Sequence, residues 1–418
     1  MSLLIYMGNC CNNQETVAAP GVIEYYKSNT LAVACKNHLG KIVSTDRVTF
    51  ENTSPFKIEN VQAFLGKKNV KIHGCVVPGI DPRGEIDKEC QDDYIFLHDE
   101  NSILCTLFDG HGKEGKKIAN FCTSFVAKFY SKNIQDLQQN PEETLTRMLH
   151  KCDEKLKRGK IKDDMAGSTA VAVYITETAV HSASLGDSRS IIATINEKEI
   201  PVPKPAHKYY KQVTPRRHLK AVPLTTDQKP NHEDEFARIK AAGGSVEQIT
   251  DNYGKRVGPY RVWIPGRDHP GLAMSRSIGD RIAKGVGVIA TPVCHHFSLY
   301  ETDQFIVIAS DGVWDVMENI EVINFVDAIK KNCSNSSNLY PARPENSNVA
   351  RLLCEEARYR WYGIIEDEDV MIDDISCIVV DFEDIQGVMK SKPKERNVKA
   401  FQSLAIDSEI GSIIENPV

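Results

Sequence analysis

None of the twelve cysteines forms a Cys-x-x-Cys pair, which argues against a zinc ribbon or a thioredoxin-type centre. The chain has no uncharged apolar run near the ~18 residues that a membrane span needs, and no secretory apolar segment near its start. It has no internal repeat. Nor has it an excess of positive charge: 51 Lys+Arg stand against 57 Asp+Glu, a net −6. That balance argues against nucleic-acid binding carried mainly by bulk charge, and leaves room for a local acidic site that holds cations.

What is present is ordinary globular material. Over 418 residues, 41% are hydrophobic and 26% charged, enough for a core that needs no disulfides. Several cysteines sit inside apolar runs, Cys105 in Ile103–Phe108 and Cys377 in Ile375–Val380, where a free thiol behaves as a small hydrophobe. A reduced, intracellular chain is expected. Met7-Gly8-Asn9-Cys10-Cys11 would resemble a fatty-acylation signal if translation began at Met7, with Gly8, Cys10 and Cys11 as anchors. Met1 ahead of it, and Asn12 where the pattern wants Ser or Thr, count against that reading. The expected location is cytoplasmic, with membrane association only if the start is acylated.

Three segments are expected: an N-terminal extension over 1–70, a main domain over 71–383 and a polar tail over 384–418. Within the domain, Lys71–Val77, Tyr94–Leu97 and Ile103–Phe108 read as strands. Lys116–Ile134 carries an apolar stripe at helical spacing, and Asn140-Pro141-Glu142-Glu143 opens a second helix. Ser168–Thr176, Ala179–Leu185 and Ser188–Thr194 suit an antiparallel meander. Asn231 is expected to cap a helix closed by Gly243-Gly244, and Asp251–Pro270 to be a surface loop. Phe305–Ala309 and Ile375–Phe382 read as further buried strands, with helices near Ile320–Lys331 and Val349–Tyr362 between them.

The chemistry lies at strand ends. The two Asp-Gly dipeptides, Asp109-Gly110 and Asp311-Gly312, each follow an apolar strand, and Asp92-Asp93 and Asp373-Asp374 lie beside apolar strands too. A single Asp-Gly is usually a turn. Carboxylates repeated in matched settings point to an all-oxygen centre, which suits Mg²⁺ or Mn²⁺.

Phe108-Asp109-Gly110-His111-Gly112, Gly167-Ser168-Thr169-Ala170, Gly186-Asp187-Ser188-Arg189, LTTDQKP (224–230), LAMSRSIGD (272–280), SDGVWDVM (310–317) and Asp373-Asp374-Ile375-Ser376 occur in this order. Together, from about residue 72 to 382, they closely resemble the metal-dependent protein serine/threonine phosphatases of the 2C type. The resemblance implies an α+β fold, a four-layer αββα sandwich whose two central antiparallel sheets are flanked by helices. It implies two or three Mg²⁺ or Mn²⁺ ions in a cleft at one end. Asp109 would bridge two ions and Gly110 bind one through its carbonyl. Asp311 and Asp373 would hold the second, and Asp92 would orient metal-bound water. Asp164 and Asp315 match positions for a weaker third ion. His111 would be the acid for the serine or threonine leaving group.

The sequence departs from the family in having Gln91 before Asp92, and in lacking the Arg that clamps substrate phosphate; Lys88 and Arg83 are the nearby cations. The basic insert Lys204–Lys220 reads first as a solvated loop, with docking of an acidic substrate or partner as the alternative, and Tyr260, Arg261, Trp263 and Arg267 lie where the family has a flap that could touch substrate. The resemblance thus implies a monomer acting on phosphoprotein substrates. A catalytically silent phosphatase-like binding module is the alternative, and a two-metal nuclease is disfavoured by the net charge and the motif order.

Overall fold

The computed structural model describes residues 57–66, 68–80, 89–195, 219–251, 253–332, 348–364 and 372–382, with strand backbone at 4–5, 30–36, 42–49 and 399–401. In chain order β1 (Leu4–Ile5), β2 (Thr30–Lys36) and β3 (Ile42–Thr49) form a small antiparallel sheet.

Two larger sheets carry the molecule. The first has the order β16 (Ile278–Gly279), β8 (Gly167–Ser168), β7 (Ser102–His111), β9 (Ala170–Thr176), β10 (Ala179–Leu185), β17 (Val293–Ser298) and β20 (Lys399–Phe401), with β6 (Asp92–His98) also paired to β7. The second runs β12 (Leu219–Pro223), β11 (Arg189–Ile195), β18 (Asp303–Ala309), β19 (Ile375–Phe382), β5 (Lys68–Val77) and β4 (Lys57–Leu65). Every pairing in both is antiparallel.

Because side chains alternate along a strand, each sheet feeds two cores. On β7, Ile103, Cys105 and Leu107 point between the sheets, where they meet Ile306, Ile308, Ile378 and Val380 of the second sheet. Leu104 and Phe108 point outward, to α1 (Gly115–Gln139) and α2 (Pro141–Lys157). Phe305, Val307, Cys377 and Val379 face the opposite outer layer of α5 (Asp311–Trp314), α6 (Asn319–Asn332) and α7 (Val349–Ile364). The result is the helix–sheet–sheet–helix sandwich, an α+β fold. Each fully buried Val, Ile or Leu contributes roughly 1.5–3 kcal/mol, so the three cores hold the sheets face to face. The described cysteines are free, and all but Cys90 are buried in these layers.

Local readings shift in three places. Asp251–Pro270 is not a loop: β14 (Arg256–Trp263) pairs with β13 (Ser245–Thr250) and β15 (Pro270–Leu272). Val257, Tyr260, Val262 and Trp263 outweigh Gly258 and Pro259, and Val262 is buried in a small core with Leu272 and Met274. α3 (Glu233–Ala241) is preceded by His232 at the cap position instead of Asn231, with no side-chain cap, while Glu233, Asp234 and Glu235 supply the favourable charge for its first turn. Lys57–Leu65, inside the expected extension, is the edge strand of the second sheet. A short helix, α4 (Arg281–Lys284), follows β16.

Candidate metal centre and catalytic cleft

The alternation that fills the inter-sheet core continues into carboxylates at one end of the sandwich. The face of β7 that carries Ile103, Cys105 and Leu107 ends on Asp109, and the matching face of β6, below Tyr94, begins at Asp92. The two aspartates are directly opposite in the register. From the second sheet, β18 runs out through Ser310 into Asp311 at the start of α5. Asp373 precedes β19, whose inward face carries Ser376, Ile378 and Val380.

These carboxylates act on one another. Burial, then Asp92, Asp311, Asp373 and Asp187, holds the Asp109 carboxyl well above the usual range. Asp311 is raised by burial, then by Asp187, Asp373 and Asp315, with Lys229 partly offsetting them. Asp92 is pushed up to about 7 by burial first and then by Asp374 and Asp373. Asp315 is raised by burial too, against Lys229 and Arg189. Asp92 is nevertheless fixed: its Oδ2 accepts the Ser376 hydroxyl at 2.6 Å, while Oδ1 is buried with no partner. Asp187 likewise pairs with Lys229 through Oδ2 and leaves Oδ1 buried and unpartnered. Buried anions that repel one another, with orphaned oxygens and little cationic cover, form a donor set that fits divalent cations. Asp92, Asp109, the Gly110 carbonyl, Asp311 and Asp373 could hold them, and the all-oxygen chemistry suits Mg²⁺ or Mn²⁺.

Glycine makes the loop beside Asp109 geometrically tight. A Cβ on Gly110 would sit 2.5 Å from the Gly115 carbonyl oxygen and 2.7 Å from that of Gln91. Gly112 has φ +76° and lies against the Met165 backbone. Gln91 holds this turn: its carbonyl accepts the Gly110 N–H, and its Nε2 donates to the Gly112 carbonyl at 2.7 Å. Its side chain therefore braces the loop instead of reaching for water in the cleft. Asp374, the buried neighbour of exposed Asp373, accepts the backbone N–H groups of Gly79 at 2.5 Å and Gln91 at 2.8 Å. One aspartate of the pair faces the site and the other ties three segments together.

His111 closes the β7 end. Its Nε2 lies 2.7 Å from Asp280 Oδ2, and its Nδ1 is buried without a partner. Burial alone would lower its pKa; the Asp280 charge and hydrogen bond override that and raise it. Asp280 has φ +51°, a left-handed conformation, and also accepts the Ser277 hydroxyl at 2.6 Å.

Asp164 is exposed on the loop before β8 and is not among the leading charges acting on Asp311; its carbonyl accepts the Ile282 N–H. The adjacent Asp163 is buried and binds Arg281 at 2.6 Å. Arg83 and Lys88 lie outside the described residues, as do Met7–Cys11 and all of Lys204–Lys220 but its last two residues. Of the flap residues, Arg261 donates to the Gly271 carbonyl and Trp263 to that of Glu247, which braces the small sheet.

Asp187, Lys229 and Asp280 have no role in a reading of the chain alone. For the two aspartates the signal lies in the reversed dipeptide: Gly186-Asp187 follows β10 and Gly279-Asp280 closes the two-residue β16, each with a positive-φ glycine, +91° and +83°. Such a glycine turns the chain off the sheet edge and leaves the next carboxylate at the cleft.

Comparison with known proteins agrees with this architecture. Residues 84–360 match the family model described as protein phosphatase 2C. The chain is 32% identical over 272 residues to probable protein phosphatase 2C 64 of Oryza sativa subsp. japonica, covering 64% of this chain and 56% of that relative, a little over half its length. It is 29% identical over 303 residues to probable protein phosphatase 2C 48 of the same organism, covering 68% and 76%. The crystal structure of a serine-threonine phosphatase 2C from Toxoplasma gondii superposes with a TM-score of 0.54 at 18% identity, over 79% of this chain and 100% of that one, a likeness of fold.

Proposed function

The chain belongs to the protein phosphatase 2C family, a family of hydrolases, and from that premise we propose that it removes phosphate from phosphoserine and phosphothreonine in proteins, with Mg²⁺ or Mn²⁺ in the aspartate cleft. The observation that carries the reading is the convergence of Asp92, Asp109, Asp311 and Asp373, from both sheets, at one end of the sandwich. Bound there, the cations would lower the pKa of a water and offset charge on phosphoryl oxygens. The protein's own groups do the rest. Asp109 and Asp311 present the donor oxygens, and Asp92, held by Ser376, orients the attacking water. Attack is direct, with no covalent intermediate on the protein. The departing alkoxide is strongly basic, so it must be protonated. His111 suits that role, because Asp280 engages Nε2 and favours the protonated ring, and Nδ1 has no competing protein partner. Asp164 and Asp315 would serve a third, weaker ion, and Lys88 and Arg83 the substrate phosphate.

We further propose a single catalytic unit, the expected 71–383 domain extended by the edge strand Lys57–Leu65 that pairs with it, acting as a monomer in the cytoplasm. The test is manganese-dependent release of phosphate from a phosphothreonine peptide. Turnover that tracks metal concentration supports the proposal. Metal binding without turnover would instead indicate a phosphoprotein-binding module.

A further inference from the structure

We propose that Glu142, His181 and His296 form a zinc-binding site on the helix-facing side of the first sheet, separate from the aspartate cleft. Among the described residues, this is the trio whose ligand atoms gather within 4.8 Å of one another. Glu142 Oε1 lies 2.9 Å from His181 Nδ1 and 3.4 Å from His296 Nδ1, and the two Nδ1 atoms are 3.2 Å apart.

Those three separations match the face of a tetrahedron. With zinc–nitrogen and zinc–oxygen bonds of ~2.0–2.1 Å, adjacent ligand atoms stand about 3.3 Å apart. One shared proton bridges one pair of the three atoms well, whereas a cation at the centre satisfies all three. The chemistry is selective too. Two imidazoles and one carboxylate suit Zn²⁺, while the all-oxygen cleft suits Mg²⁺ or Mn²⁺.

The fold builds the site from three remote pieces of sequence. His181 and His296 are direct cross-strand partners on β10 and β17. His181 shares the face of β10 that carries Ala183 and Leu185 into the helix-side core, and Cys294 does the same beside His296. Glu142 comes from the first turn of α2, which packs on that face. His181 lies six residues before Asp187, up to roughly 20 Å along an extended strand. The His181 side chain is 9% exposed, but Glu142 and His296 are 32% and 36% exposed, so solvent can reach a fourth ligand position. The nearby Cys294 thiol is engaged with the Thr146 hydroxyl at 3.2 Å. A bound zinc would pin the first turn of α2 to the sheet, a structural role independent of hydrolysis.

The experiment uses the full chain with saturating Mg²⁺, so that the cleft is occupied, and titrates Zn²⁺ against a chromogenic chelator. One equivalent of zinc should bind, with a rise in thermal midpoint, and Co²⁺ in its place should show the intense visible absorption of tetrahedral coordination. His296→Gln and Glu142→Gln should each weaken zinc at least tenfold and retain manganese-dependent phosphatase activity. Asp109→Asn should leave the zinc equivalent intact. The proposal falls if wild type takes up no zinc, if both variants bind it as tightly as wild type, or if Asp109→Asn removes it, which would place the zinc in the cleft. Should a variant fold poorly, the cobalt spectrum of the wild-type chain still decides: weak octahedral absorption overturns the site.

Discussion

Asp92 and Asp109 face each other across the β6–β7 ladder, two acids in direct register at the cleft end of the strand pair. Like charges so placed oppose folding. A divalent cation bound as proposed would change the sign of the interaction, which makes the pair a sensitive reporter of metal.

Asp109→Asn removes one of the two charges. Activity should fall by at least about a thousandfold, since a carboxylate that would hold the proposed cations is lost. The metal-free protein should keep its fold and gain stability, because the repulsion with Asp92 disappears. Phosphate release and thermal melting with and without Mn²⁺ check both. Wild-type turnover in this variant would overturn the mechanism.

Metal-free stability should also depend on pH in a defined direction. Asp92 has a folded pKa of about 7, against 3.8 for an ordinary aspartate. Between those values Asp92 binds more protons folded than unfolded, as do the raised Asp109 and Asp311, and together they outweigh buried His73, lowered to about 4, so stability falls as pH rises from about 4 to 7. Mg²⁺ or Mn²⁺ should reverse the trend, because metal binds the ionised folded form. Melting curves at pH 5 and pH 7, each with chelator or with metal, measure this. A metal-free protein more stable at pH 7 than at pH 5 would contradict it.

His111→Gln should lower turnover of a phosphothreonine peptide by about 10²–10⁴, the usual contribution of a general acid. An aryl phosphate, whose leaving group needs little protonation, should be much less affected. Asp280→Asn should move the alkaline limb of the rate profile to lower pH, since Asp280 is what raises the His111 pKa. Equal loss on both substrates would show a structural role instead.

Lys229→Met leaves Asp187 buried beside Asp311 without its cation. Removing one partner of a buried pair costs about 3–5 kcal/mol, and the partly exposed lysine brings the expectation to about 2 kcal/mol. The double variant with Asp187→Asn should recover much of that stability, measured by denaturant unfolding in chelator.

Gly110→Ala tests the loop geometry. Its Cβ would meet two backbone carbonyls at 2.5 and 2.7 Å, so the backbone must shift, at about 1–3 kcal/mol. Activity should fall far more than stability, because the displaced carbonyl is itself a proposed ligand. Full activity with an unchanged metal affinity would remove Gly110 from the centre.

The core strands and the family are legible in the chain alone. Apolar alternation marks Ile103–Phe108, Phe305–Ala309 and Ile375–Phe382, and the Asp-Gly and Asp-Asp pairs at their ends mark the candidate acids, because a strand that leaves a core must change from apolar to polar there. The same pattern does not separate Asp373 from Asp374, or single out Asp187 and Asp280: adjacent carboxylates are alike until a backbone N–H or a second strand claims one of them. It takes the folded molecule to set Asp92 opposite Asp109, to turn Gln91 into the brace of a loop, and to bring Glu142, His181 and His296 together. Those relations depend on register and on which helix covers which face, and residues 39 and 115 positions apart carry no local pattern that announces them.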